Sequence, residues 1–249
     1  MVLRKEIKFI RAVWGQYDEF YNTPPLNEIV YVWGIDKYKY LLSKGFDCVL
    51  VSEKSDVVND NIRKFYHKLE CLRLAAQSYE KFIFLDWDVE IIREFDDTFY
   101  SYLEDKEFLV PTYAYPIEFL DLKDKIEFEH DRVWVNNQII EMQKYGWRLD
   151  NEIVLPNAGF IYCSNKKIPN KLIEISNKLN IVTLVEEFSI FNYVNCDLEY
   201  YILNYEPTVI FGRSEDNIFN SFNIKKQSQI NLHNIINKLI KKDIYLIHN

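Results

Sequence analysis

One stretch of the chain reads Phe82-Ile83-Phe84-Leu85-Asp86-Trp87-Asp88, an apolar run that ends abruptly in two carboxylates separated by one residue. The run has the length and the aromatic and β-branched composition of a buried strand. Residues at the carboxyl end of such a strand, in an open α/β sheet, face the crevice where ligands bind. We therefore expect Asp86 and Asp88 to lie at a ligand site, although Asp is also common in ordinary turns.

The segments on either side of this run alternate between strand and helix patterns. Before it, the predicted strands are 7–13, 29–33 and 48–51, and the predicted helices are 36–43 and 62–79. After it, strands are predicted at 108–110, 158–163, 208–211 and 244–247, and helices at 138–145, 171–179, 187–194 and 232–241. Alternation of this kind is typical of a largely parallel sheet covered by helices. The sequence thus predicts one α/β domain with a mixed, mostly parallel central sheet flanked by helices.

Composition excludes some classes of partner. The chain has 30 Lys and Arg against 38 Asp and Glu, a net charge of −8, which opposes binding to nucleic acid or to an anionic membrane surface. No window approaches the ~18 apolar residues that a transmembrane segment requires. Four cysteines lie far apart without a C-x-x-C pair, which favours reduced core residues. These features predict a soluble, cytoplasmic protein that binds no nucleic acid.

Two segments contain residues suited to a ligand site. The paired carboxylates of Asp86 and Asp88 suit a hard divalent cation such as Mn²⁺ or Mg²⁺, which can bridge diphosphate oxygens. In Asn157-Ala158-Gly159, an amide that can donate and accept hydrogen bonds stands before two small residues that permit a close approach. A tight strand entry that needs Gly159 for conformational reasons is the alternative for the second segment.

Taken in order, these segments resemble the GT-A fold of nucleotide-sugar glycosyltransferases, a Rossmann-like fold, and most closely its glycogenin-like retaining group. The resemblance is carried by the turn 12–17, by Lys68-Leu69-Glu70-Cys71, by the Asp-x-Asp and by the stretch 155–162. It implies that Tyr17 stacks on the donor base and that Lys68 faces the donor phosphates. The donor site that the resemblance implies comprises Tyr17, Lys68, Asp86, Trp87, Asp88, Asn157, Ala158 and Gly159.

Two further segments match the same group. Glu186 and Glu187 occupy the place of an acidic helix start beside the reacting sugar, where a carboxylate can act as a base or stabilise an oxocarbenium-like sugar. Acidic residues are also favoured in any first helical turn by the helix dipole, so a structural role stays open. His248 follows the last predicted strand and, with Asp86 and Asp88, would complete the metal ligands, since imidazole binds Mn²⁺ well.

The resemblance implies an enzyme, a metal-dependent hexosyl- or pentosyltransferase. Its donor would be a nucleotide sugar, a UDP-sugar above all, its acceptor a glycan or another hydroxyl, and its cofactor Mn²⁺ or Mg²⁺. The single domain 1–249 would comprise a nucleotide-binding half over about 1–110 and a half for sugar and acceptor over about 111–249.

Two other functions fit part of the sequence. A haloacid-dehalogenase-like phosphatase also carries Asp-x-Asp after a strand, with Asp86 as the phosphorylated nucleophile. That family places the motif on its first core strand, however, and three predicted strands precede it here. A noncatalytic nucleotide-sugar-binding protein would keep the fold and the donor site without transfer.

Overall fold

The computed structural model describes residues 7–15, 28–52, 66–87, 89–91, 95–104, 106–110, 140, 158–178, 190, 211–213 and 246–248. The chain forms two compact units that alternate along the sequence. Unit 1 comprises residues 1–87, 103–109 and 158–189, and unit 2 comprises residues 88–102, 110–157 and 190–249. The predicted division of one domain near residue 110 stays a prediction.

The strands follow the predicted pattern closely in the first half of the chain. In chain order they are β1 (Ile7–Val13), β2 (Glu28–Trp33), β3 (Asp47–Val51), β4 (Lys81–Leu85), β5 (Val89–Ile91), β6 (Phe108–Leu109), β7 (Phe160–Cys163), β8 (Phe211–Arg213) and β9 (Leu246–His248). The described helices of more than one residue are α1 (Ile35–Ser43), α2 (Tyr66–Ser78), α3 (Asp97–Leu103) and α4 (Ile168–Lys178). No helix in these ranges is both long and apolar enough to span a membrane.

Unit 1 contains a six-stranded sheet in the order β3-β2-β1-β4-β7-β6. The pairs from β3 to β4 are parallel, and β7 runs antiparallel to both of its neighbours. All six residues of β2 are buried, which is typical of a strand covered on both faces of a parallel sheet. The predicted α/β class with a mixed, mostly parallel sheet is confirmed.

Helix α2 packs through an apolar stripe, because Leu69, Leu72 and Ala76 are all buried. Their spacing of three and four residues places them on one face of the helix. Lys68, beside Leu69 in the first turn, is also buried, at 3% exposure. Its burial is explained by an acidic partner that is distant in the sequence, a pairing that helical periodicity alone does not reveal.

Helix α1 ends in a Schellman motif at the predicted glycine. Gly45 has φ +87°, in the left-handed region that favours glycine, and its N–H donates to the Leu42 carbonyl at 3.0 Å. The Phe46 N–H donates to the Leu41 carbonyl at 3.1 Å. Both Leu41 and Phe46 belong to a buried cluster, so the helix end is fixed by core packing as well as by hydrogen bonds. The other members of that cluster are Val13, Val30, Val32 and Trp87.

Unit 2 contains a three-stranded sheet in the order β5-β9-β8. Strand β9 is antiparallel to β5 and parallel to β8. Strand β5 was not predicted, because three residues are too few to show an alternating pattern. His248 was expected just beyond the last strand, whereas it is the final residue of β9.

The described cysteines agree with the expected reduced state, since Cys48, Cys71 and Cys163 are free thiols. Burial raises the pKa of the Cys163 thiol to about 12 and that of Cys48 to about 11. Burial likewise raises the pKa of the fully enclosed Cys71 thiol. At neutral pH these three groups are therefore protonated and poorly nucleophilic.

A pair of adjacent leucines on α1 tests the core assignment. Leu41 is fully buried and Leu42 is 44% exposed, so the same truncation should have very different effects. We expect Leu41→Ala to lower the free energy of unfolding by ~2–5 kcal/mol, and the control Leu42→Ala by no more than ~0.5 kcal/mol. Urea unfolding of both variants measures the difference, and equal losses would contradict this packing.

Candidate functional site at the carboxyl end of the fourth strand

Asp86 directly follows β4 and continues the pairing of that strand with β7. Leu85 pairs with Phe160, and the Asp86 N–H donates to the Gly159 carbonyl at 2.9 Å. Two segments that the sequence analysis singled out separately, the Asp-x-Asp and the Asn-Ala-Gly, are therefore joined by a backbone hydrogen bond. This extension of the β4–β7 pairing fixes the point at which the Asp86 backbone leaves the sheet.

Lys68 approaches the same point from the N-terminal turn of α2. Its Nζ lies 2.8 Å from one carboxylate oxygen of Asp86 and 2.9 Å from the other, and 3.4 Å from the Ala158 carbonyl oxygen. The Lys68 side chain is 4% exposed and that of Asp86 is 22% exposed. A charge-assisted pair with so little exposure is weakly screened by solvent. The structure thus brings together Lys68, Asp86, Ala158 and Gly159 of the predicted donor site.

A second buried ion pair, absent from the sequence predictions, lies beside Asp86. Arg11 in β1 binds both carboxylate oxygens of Glu28 in β2, with its Nε 2.7 Å and its second terminal nitrogen 3.2 Å away. Its remaining nitrogen, Nη1, donates to the Asp86 carbonyl at 2.5 Å and reaches the Trp87 carbonyl at 3.5 Å. The feature of the sequence that could have revealed this pair is the lone arginine inside an apolar strand. A charge buried in such a strand requires partners.

Aromatic side chains line the neighbouring strand ends. The Trp14 ring stacks on His67 at 5.7 Å between centroids, and Trp33 meets the same imidazole edge-on at 5.1 Å. Trp14 follows β1 and Trp33 ends β2, so this group lies at the carboxyl ends of parallel strands. Gly15, next along the chain, has φ +67°, a conformation that favours glycine in the turn leaving β1.

Trp87 was predicted to contribute to the donor site, and its ring is 7% exposed within the cluster that contains Leu41 and Phe46. The ring centroids of Trp87 and Phe46 lie 6.0 Å apart. Trp87 therefore anchors the turn between the two aspartates to the core. A contact with the donor stays a prediction.

Several predicted site residues lie outside the described residues, namely Tyr17, Asp88, Asn157, Glu186 and Glu187. For His248 the strand pairing is informative, because it sets His248 opposite Val89, the residue that immediately follows Asp88. Among the side chains that the structure describes, no three from His, Cys, Asp and Glu form a group able to hold a metal ion.

No protein-family model matches the chain, and no curated protein matches it by sequence. Among solved structures, the bifunctional glycosyltransferase WbbM in its apo form matches with a TM-score of 0.56 at 11% identity, over 100% of this chain. The chain spans 46% of the WbbM structure. This likeness shows the fold, and the chain has a GT-A-type glycosyltransferase fold.

Two weaker structural matches were also found. Mouse xyloside xylosyltransferase 1 matches with a TM-score of 0.46 and 7% identity, over 97% of this chain and 96% of its own. The galactosyltransferase LgtC, in complex with donor and acceptor sugar analogues, matches with a TM-score of 0.46 and 14% identity, over 89% of this chain and 75% of its own.

The coupling between Lys68 and Asp86 can be measured by a double-mutant cycle with Lys68→Met and Asp86→Asn. Because the pair is mostly buried, we expect a coupling free energy of ~1–3 kcal/mol from urea unfolding. The matched control is the Arg73–Glu70 pair on the same helix, whose cation is 23% exposed and which, as a pair of helix neighbours, should couple by only ~0.2–0.5 kcal/mol. Equal couplings in the two cycles would contradict a special role for the Lys68 contact.

Proposed function

We propose that this protein is a metal-dependent glycosyltransferase that moves a sugar from a nucleotide-sugar donor, of the UDP type, to a hydroxyl of a glycan or another acceptor. The observation that carries the proposal is the placement of Asp86. Its partly exposed carboxylate sits at the carboxyl end of β4, held by Lys68 and joined through the backbone to Gly159. Three motifs that are distant in sequence thus converge at the edge where α/β sheets bind ligands.

The proposed metal ligands are Asp86, Asp88 and His248. Asp86 offers partly exposed carboxylate oxygens, and within unit 2 the β5–β9 pairing sets His248 opposite Val89, the residue that follows Asp88 in the chain. Hard oxygens with one imidazole suit Mn²⁺, with Mg²⁺ as the alternative. When bound, the ion would supply positive charge to the diphosphate of the leaving nucleotide.

The charges around Asp86 support a site that attracts a cation. Arg11 and Glu28 neutralise each other, and so do Lys68 and Asp86. The proposed metal ligand Asp88 would add a negative charge beside these two pairs. A divalent ion would compensate that charge and leave net positive charge for the donor phosphates.

The other site residues keep the roles that the GT-A resemblance implies. Tyr17 would stack on the base, and Asn157 with Ala158 and Gly159 would line the sugar. Lys68, which is buried against Asp86, would orient the Asp86 carboxylate and contribute to the positive charge that faces the donor phosphates. Trp87 would hold the turn of the donor site.

The proposed catalytic residue is Glu186 or Glu187. Either carboxylate would act as a base toward the acceptor hydroxyl or stabilise the positively charged sugar. The motif order also supports a position nearest the glycogenin-like group. Whether the sugar is a hexose or a pentose depends on the loops around the donor. A cytoplasmic location stays a prediction.

The phosphatase alternative is less well supported by the described sheet. Its motif belongs on the first core strand, whereas β1, β2 and β3 all precede β4 here. Release of phosphate from simple phosphomonoesters, without any response to nucleotide sugars, would favour it over the proposal.

Metal dependence is the first test of the proposed function. We expect one or more UDP-sugars to raise the melting temperature in the presence of Mn²⁺, because a ligand that binds only the folded state stabilises it. Excess chelator should abolish the shift and added Mn²⁺ should restore it. A thermal-shift panel of nucleotide sugars measures this, and a full shift that survives chelation would contradict the metal role.

A second test separates binding from chemistry. Asp88→Asn removes a charge from the proposed metal site, so donor binding and transfer should both fall, by ~10–100-fold in metal-dependent affinity. Glu187→Gln should preserve donor affinity and lower turnover by ~10²–10⁴-fold, because general acid–base groups act mainly in the transition state. Calorimetry with Mn²⁺ reports the first quantity and sugar transfer the second. Near-native turnover in both Glu186→Gln and Glu187→Gln would show that the acidic helix start is structural.

A further inference from the structure

The Arg11 guanidinium connects the buried sheet to the backbone of the Asp-x-Asp turn. One side of the group is bound by both oxygens of Glu28, and the remaining nitrogen donates to the Asp86 carbonyl and approaches that of Trp87. The Trp87 carbonyl belongs to the peptide bond that leads into Asp88. Arg11 therefore contacts the two peptide units that lie between the two carboxylates of the motif.

Strand register explains how the pair is formed. Arg11 pairs with Val30, and Glu28 lies two residues before Val30 on the same strand. Because side chains alternate along a strand, Glu28 and Arg11 lie on the same face of the sheet as diagonal neighbours. The Arg11 side chain is 5% exposed and that of Glu28 is 2% exposed. Glu28 thus orients the guanidinium toward β4.

A buried pair of this kind is a poor source of stability. The desolvation of two charges offsets most of their attraction, and apolar side chains of similar volume often replace such a pair without loss. The next residues of β1 on the same face, Phe9 and Val13, are apolar and buried, so this face of the sheet accepts hydrophobic residues. What apolar side chains would not supply is a donor for the carbonyls of Asp86 and Trp87.

We propose that Arg11, oriented by Glu28, is a positioning residue for the metal-binding turn. It fixes the carbonyls of Asp86 and Trp87, and in this way it sets the direction in which the Asp86 side chain leaves the backbone and in which the chain continues beyond Trp87. The inference rests on the proposed function, because the turn matters to binding only if its carboxylates hold a cation. Arg11 would act through these two carbonyls.

The test replaces the pair by apolar side chains, Arg11→Met with Glu28→Leu, and measures how much Mn²⁺ is needed for nucleotide binding. Calorimetric titration of uridine diphosphate at a series of Mn²⁺ concentrations gives the concentration for half-maximal binding. We expect this concentration to rise ~10–100-fold in the double variant, the usual effect of removing a group that orients metal ligands. Its melting temperature should stay near that of the unaltered protein, which a purely structural loss would not allow.

Two further variants separate the possible failures. Asp86→Asn should need far more Mn²⁺ for nucleotide binding or lose that binding, and an unchanged Mn²⁺ requirement in this variant would overturn the proposed function itself. Arg73→Gln removes a positive charge from α2 and an ion pair with Glu70, away from the turn, and should behave as the unaltered protein. If Asp86→Asn responds but the Arg11 and Glu28 double variant needs no more Mn²⁺ than the unaltered protein, the positioning role is wrong and the function stands. An equal rise in the Mn²⁺ requirement of Arg73→Gln would also overturn the positioning role, because it would show a general effect of removing positive charge.

Arg11→Lys keeps the measurement decisive if the double variant does not fold. Lysine retains a positive charge beside Glu28, but a single ammonium lacks the planar fork that serves a carboxylate and two carbonyls together. We expect a several-fold rise in the Mn²⁺ requirement of the folded Arg11→Lys protein. A value equal to that of the unaltered protein would overturn the inference.

Discussion

Strand β4 lies between a parallel neighbour, β1, and an antiparallel one, β7, and the candidate site depends on that placement. The parallel neighbour brings Arg11 toward the end of β4. The antiparallel neighbour begins where β4 ends, so Gly159 meets Asp86 through the backbone. Helix α2, which leads back into β4, begins at the same edge and supplies Lys68. Exchanging β7 for a parallel strand would carry the Ala158–Gly159 segment to the opposite edge of the sheet.

Charges buried around this strand end are costly, and their arrangement indicates what they are retained for. Arg11 pairs with Glu28 almost without exposure, whereas the Lys68 pair ends in a carboxylate that is 22% exposed. A fully buried pair is on average no more stable than the hydrophobic residues that could replace it, and breaking it leaves an uncompensated charge. Both pairs contact Asp86, one through its carbonyl and the other through its side chain. Both pairs therefore help to orient the same residue, Asp86.

The local pattern of the sequence was sufficient to predict the strands of unit 1 and part of the candidate site. An apolar run that ends in Asp86 and a glycine entering the strand at Phe160 are features of a few adjacent residues, and both were located correctly. Arg11 was missed because its partners lie 17 and 75 residues away, and no periodicity encodes a pairing between strands. The pairing of Lys68 with Asp86, 18 residues away, is hidden from local patterns for the same reason. Strand β5 was too short to predict.

The contacts of Asp86 also bear on the simplest alternative, an ordinary turn that happens to contain two aspartates. Asp is common in turns because its side chain bonds nearby backbone. Here the Asp86 carboxylate binds Lys68, 18 residues earlier, while its N–H donates to the Gly159 carbonyl and its carbonyl accepts from Arg11 in β1. Each polar group of Asp86 is therefore held by a different element. An orientation specified this fully reduces the entropy lost when a ligand binds, which a turn that only reverses the chain does not require.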